Sequence, residues 1–103
     1  FFATEVPITE TSKIFLDEYR KKYNKEPAAV TALGFDGYLV ARAAIEKAQS
    51  VDPVKIRDAI AVTKDFPGAA GMITLDENGD AVKSAVIKVV QGGKFTYKST
   101  VQP

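Results

Sequence analysis

Apolar residues recur at helical spacing over residues 28–50, the longest such stretch in the chain. Val30, Leu33, Gly37, Val40, Ala41, Ala44, Ile45 and Ala48 follow the i, i+3, i+4, i+7 pattern of one stripe, which predicts the core face of a central helix. Phe35 and Leu39 project from the opposite side, so the first half of this helix is expected to be covered on two faces. Gly34 and Gly37 each cost a helix roughly 1 kcal/mol against Ala, and two in one turn predict close approach of a sheet or a ligand loop. Before this helix, Phe15, Leu16, Tyr19 and Tyr23 form a second stripe. Thr9 is a good N-cap, Glu10 suits the positive end of the dipole, and Asn24 with Lys25-Glu26-Pro27 stops the chain, which places a helix over 9–23. Asp52-Pro53 is a strong start for a third helix, with Ile56, Ala59, Ile60 and Thr63 on one face and an end near Lys64, before Asp65-Phe66-Pro67-Gly68 breaks it.

From there the period changes to two. Residues 71–75 read as a strand and 76–80 as a turn. Residues 83–91 form a further strand with Ala85, Ile87 and Val89 on one face. Gly92-Gly93 is a hairpin connection into a last strand over 94–98, and 99–103 is expected to fray. Residues 1–7, with Phe1 and Phe2 and closed by Pro7, read as an extended segment. The order is helix, helix, helix, then antiparallel strands, with no internal repeat and no low-complexity linker.

The 103 residues allow one domain and one core. Fourteen basic and thirteen acidic side chains leave a net charge of +1, which speaks against a polyanion or a strongly anionic membrane as partner. The chain has no cysteine and no histidine. That rules out disulfides, thiolate or imidazole metal ligation, and the Ser-His-Asp and Cys-His nucleophile systems. The first residue is Phe rather than Met, which reads as a processed or cut form. The acids at 76–80 alternate as in a calcium loop, but the glycine comes too early and the twelfth position is Ile87, so a tight turn is the expectation. Gly68-Ala69-Ala70-Gly71 has the spacing of an RNA-clamping loop without a basic residue, and the cations of 20–25 sit among Asp17, Glu18 and Glu26, so no nucleic-acid partner is expected. Asp17, Glu18, Asp36 and Asp65 are not spaced to converge as an acid/base pair, so no enzyme is expected.

Taken together, Phe15-x-x-x-Tyr19-x-x-x-Tyr23, Glu26-Pro27, Gly34-Phe35-Asp36-Gly37, Ala44-Ile45-Glu46-Lys47-Ala48, Asp52-Pro53 and Gly71-Met72-Ile73-Thr74-Leu75-Asp76-x-x-Gly79 resemble one family. In this order they are similar to the C-terminal part of the extracytoplasmic solute-binding proteins of branched-chain amino-acid ABC transporters, which have the type I periplasmic-binding fold. The resemblance implies an α/β protein of two lobes, several times longer than this chain and not an enzyme. It needs no cofactor or metal; a small amino acid is held between lobes that close by hinge motion and is then delivered to an ABC permease. Residues 1–103 would be a single partial domain. Residues 1–7 would be a crossing strand, 9–64 a three-helix part of one lobe, and 71–98 a strand and hairpin part that crosses to the other, with 72–75 near the hinge. A periplasmic or extracellular location follows, with a lipoprotein anchor as one form of it.

Most groups that hold the ligand in that family would lie upstream. Only Ala32, Phe35 and Asp36 resemble a stretch bordering the cleft, against core packing for Phe35 and local capping or pairing for Asp36. The isolated chain is therefore expected to bind no ligand. Its uncovered surfaces would be met by the remainder of its own chain, or by a second copy through strand exchange. The alternative is a self-standing structural or interaction module, which would cover its own strand edges.

Overall fold

A computed structural model describes residues 8–103; the expected extended segment 1–7 lies outside the described residues. Three helices come first: α1 (Glu10–Tyr23), α2 (Ala29–Ala48) and α3 (Pro53–Ala61). Five short strands follow: β1 (Phe66–Gly68), β2 (Gly71–Leu75), β3 (Ala81–Val82), β4 (Ala85–Gln91) and β5 (Lys94–Val101). Both sheets are antiparallel, one of order β1-β2-β3 and one made of β4 and β5 alone.

The helix ends obey local chemistry. Thr9 caps α1 by accepting from the Ser12 N–H at 3.0 Å, while the Ser12 hydroxyl accepts from the Thr9 N–H at 3.0 Å, closing a capping box. Asn24 ends α1 in the left-handed region at φ 50°. Asp52 caps α3 through Val54 and Lys55 N–H, with Pro53 at the first helical position. The acids at 76–80 make a turn: the Asp76 carboxylate accepts from the Asn78 and Asp80 N–H groups at 2.9 Å each.

The core is a wedge between α1, the first half of α2 and the β1–β2 connection. Phe15, Leu16, Ala32, Ala69 and Ala70 are buried there, with Tyr19, Ala29 and Phe35 packed against them. Filling it with Phe15 and Leu16 contributes roughly 1.5–3 kcal/mol for each fully buried side chain. Helix α3 lies along the second half of α2 through its half-buried Ile56, Ala59 and Ile60.

Four expectations are corrected. The expected stripe is the buried face of α2 only in its second half: Ala44 is buried and Val40, Ala41 and Ala48 are half-buried, whereas Val30, Leu33 and Ile45 are 74%, 47% and 44% exposed and the first half buries Ala32 and Asp36 instead. Periodicity shows that two apolar faces exist, and docking of α1 and the β1–β2 connection selects between them. Gly34 and Gly37 do not admit a neighbour, since a Cβ at either would meet nothing within 4 Å. The stretch 65–68, expected only as a breaker, contributes β1, with Phe66, Pro67 and Gly68 opposite Ile73, Met72 and Gly71. Pro67 is tolerated because β1 is an edge strand and Pro has no N–H to leave unpaired. Finally, 99–103 does not fray from 99 on: Ser99, Thr100 and Val101 pair with Ile87, Val86 and Ala85, past an irregularity at Ile87/Lys88 that lets the longer β5 stay in register.

Among the described residues the β4–β5 ribbon packs mainly within itself, and every residue of β5 is exposed. The radius of gyration, 15.3 Å, accordingly exceeds the value of about 13 Å for a compact domain of this length.

At the α1–α2 junction, the Arg20 guanidinium donates to both Glu26 carboxylate oxygens at 2.7 and 2.9 Å, and this pairing holds the Glu26 carboxyl below the usual glutamate range. The carboxyl is lowered in the folded state, so its contribution is present above the ordinary glutamate pKa and lost as pH falls through the lowered value. In a carbon-detected NMR titration Glu26 is expected to titrate below the ordinary glutamate range, and to return to it in Arg20→Gln. The two glycine environments predict opposite stability changes. Gly34→Ala should raise stability by up to about 1 kcal/mol in urea unfolding. Gly68→Ala, whose Cβ would stand 2.7 Å from Asp36 Oδ2 and 2.8 Å from Ile73 Cδ1, should lower it by about 1–3 kcal/mol.

Candidate functional site

The two-residue connection between β1 and β2, Ala69-Ala70, is flanked by Gly68 and Gly71. Gly71 takes φ +116°, which L side chains rarely adopt, and at Gly68 the absence of a Cβ makes room for Asp36 and Ile73. Four small residues in a row let side chains of two helices reach the backbone of the turn.

From α2, the Asp36 carboxylate accepts from two successive amides, Ala69 N–H on Oδ1 and Ala70 N–H on Oδ2, the latter at 2.9 Å. Asp36 is 3% exposed, so its charge is met by the dipoles of two backbone amides instead of by water. From the start of α1, three hydroxyls donate to the carbonyls of the same loop. Thr11 Oγ1 reaches Pro67 O at 2.8 Å, Thr9 Oγ1 reaches Gly68 O at 2.7 Å and Ser12 Oγ reaches Ala69 O at 2.7 Å. Thr9 and Ser12 serve twice, capping their own helix with their acceptor lone pairs and holding the loop with their single protons. Among the described residues no buried side-chain nitrogen or oxygen lacks a partner.

The three sequence-derived site residues all meet at or beside this loop. Ala32 is fully buried in the core with Ala69 and Ala70. Asp36 is the loop's acceptor. Phe35 stacks on Phe15 with ring centroids 5.0 Å apart and is half-buried. Its uncovered edge lines an open concavity of about 500 Å³, shared with Tyr19, Lys22 and Tyr23 of α1. A second concavity, of about 340 Å³, opens on the other side of α2 between Leu33, Val40, Ile60 and Leu75. Of the three, then, Phe35 presents the most surface to a molecule outside the chain; Asp36 lines the second concavity but is nearly buried, with both oxygens engaged.

Sequence reasoning missed Ser12 and the role of Gly68. The signals were present: a hydroxyl three residues after the Thr9 cap, and a run of four small residues, which marks a backbone that something comes close to.

No family model matches the sequence. Solved structures do. The leucine-binding protein LivK of Thermotoga maritima is 42% identical and superposes with a TM-score of 0.90 over 99% of this chain and 29% of that one. The branched-chain amino-acid transporter substrate-binding protein LivJ of Streptococcus pneumoniae, solved with isoleucine, is 34% identical at a TM-score of 0.84 with the same coverage. An ABC transporter substrate-binding protein of Desulfitobacterium hafniense, solved with leucine, is 25% identical at 0.85, over 95% of this chain and 29% of that one. This chain therefore spans less than a third of the length of the proteins it matches.

Removing the acceptor at residue 36 would leave two buried amides without a partner. Asp36→Ala is expected to cost at least about 2 kcal/mol and Ser12→Ala about 1–3 kcal/mol in urea unfolding, with Thr11→Ala, at the exposed end of the same set, costing less. The likeness extends from sequence to superposition over nearly the whole of these 103 residues, and the chain is similar to a part of the branched-chain amino-acid-binding proteins of ABC transporters and shares that part of the type I periplasmic-binding fold.

Proposed function

We propose that the intact protein captures a branched-chain amino acid or a similar small solute between two lobes and delivers it to an ABC permease, in the periplasm or outside the cell. A lipoprotein anchor is compatible with that location. The observation that supports this most directly is the 42% identity and near-complete superposition with a leucine-binding protein. In this reading residues 9–64 belong to one lobe and 71–98 carry the chain toward the other. The first turns of α2, around Ala32, Phe35 and Asp36, border the cleft. The Asp36 clamp then acts indirectly: it fixes how α2 sits on the β1–β2 connection, and so where the cleft border stands when the lobes close by hinge motion. No step of bond chemistry is involved.

A self-standing interaction module fits less well. Such a module would cover its strand edges, whereas β5 is exposed along its whole length and Leu33 stands open beside the groove on α2.

Calorimetry separates the readings. The two-lobed protein is expected to bind leucine, isoleucine or valine. The 103-residue chain alone should show no binding tighter than about millimolar, some −4 kcal/mol. Tight binding by the chain alone, or none of these three ligands bound by the two-lobed protein, would overturn the proposal.

A further inference from the structure

Charge is not spread evenly along this chain. From Ala81 to Pro103 there are four lysines, Lys83, Lys88, Lys94 and Lys98, and no Asp or Glu, whereas residues 8–80 carry twelve acidic side chains against ten basic ones. The near-neutral total hides a basic ribbon attached to an acidic body. The ribbon is also apolar on both faces. Val90 pairs with Phe95 on one face, at 64% and 74% exposure, and Ala85 pairs with Val101 on the other, next to the exposed Ile87. A two-stranded ribbon with two wet apolar faces is marginal in water and calls for cover.

Two ribbons cannot readily cover each other. Pairing β5 edge to edge would bring the Lys94 and Lys98 side chains of both copies together, and lysines on an edge strand act against such pairing. The body offers the complementary surface: the open apolar groove of about 340 Å³ between Leu33, Val40, Ile60 and Leu75, beside the Asp76, Glu77 and Asp80 turn. Ala81 and Lys83, at the root of the ribbon, line this groove, and residues 83–84 between β3 and β4 form a short connection about which the ribbon can be exchanged.

We propose that the 103-residue chain forms a closed dimer by reciprocal exchange. The basic β4–β5 ribbon of each copy covers the apolar groove between α2, α3 and β2 of the other, with its lysines toward the neighbouring Asp76–Asp80 turn, and two-fold symmetry leaves no open end. The inference rests on the reading that these surfaces are met by the rest of the two-lobed protein when it is present.

Light scattering and sedimentation of the 103-residue chain test it. A dimer is expected at low salt, with its dissociation constant rising by about tenfold or more between about 50 and 500 mM NaCl. Lys94→Glu with Lys98→Glu should give a monomer of unchanged helical circular dichroism. So should Leu33→Glu, which changes an exposed groove residue that ribbon-to-ribbon pairing would not use. A monomer at all salts, a dimer that survives Leu33→Glu, or open-ended oligomers would each overturn the proposal. None of these outcomes bears on amino-acid binding by the two-lobed protein, so failure of one reading is told apart from failure of the other.

Discussion

Everything else in this structure depends on how the β1–β2 connection is held. Its backbone polar groups lie among buried alanines, where water cannot satisfy them, and unpaired amides and carbonyls there would cost more than the small core gains from Ala69 and Ala70. One carboxylate on α2 takes the two amides, and three hydroxyls at the start of α1 take three carbonyls. Two successive helices are thereby tied to the same four residues, 67–70, far along the chain. The apolar contacts of Phe15, Leu16 and Ala32 supply free energy but little direction; the hydrogen bonds set the orientation of α2 about its own axis.

That orientation has a consequence for the rest of the surface. With the Ala32–Asp36 side turned to the loop, the Leu33–Gly37 edge faces outward and lines an open groove. The ribbon, joined through two residues, adds exposed apolar faces and three lysines, Lys88, Lys94 and Lys98. An elongated body with two open apolar surfaces is what a part of a larger two-lobed receptor would show, in keeping with a match to less than a third of each related chain.

A buried acid need not be a ligand group. Asp36 sits where a cleft-bordering carboxylate would be sought, yet its geometry is that of a support: both oxygens accept from backbone amides, and Gly68 has no Cβ because that space is taken by Asp36 and Ile73. Support of this kind matters to binding through position. A cleft that closes by hinge motion discriminates only if each lobe keeps its shape, and a loop tied at five backbone groups cannot easily shift against its helices.

Much of this protein is decided locally and is legible in the order of its residues. Caps at Thr9 and Asp52, the left-handed stop at Asn24, the Asp76 turn and the Gly92-Gly93 hairpin all follow from short-range hydrogen bonding and glycine's freedom. The existence of three helices followed by antiparallel strands follows from the change of hydrophobic period. The choice between the two faces of α2, the pairing of Phe66–Gly68 as a strand, the extension of β5 to Val101 and the engagement of Asp36 by a loop more than thirty residues away belong to the tertiary structure. Periodicity reports that a face is apolar without saying which neighbour will reach it. That is settled by which arrangement leaves no buried polar group unpaired, a condition no local stretch of chain can satisfy alone.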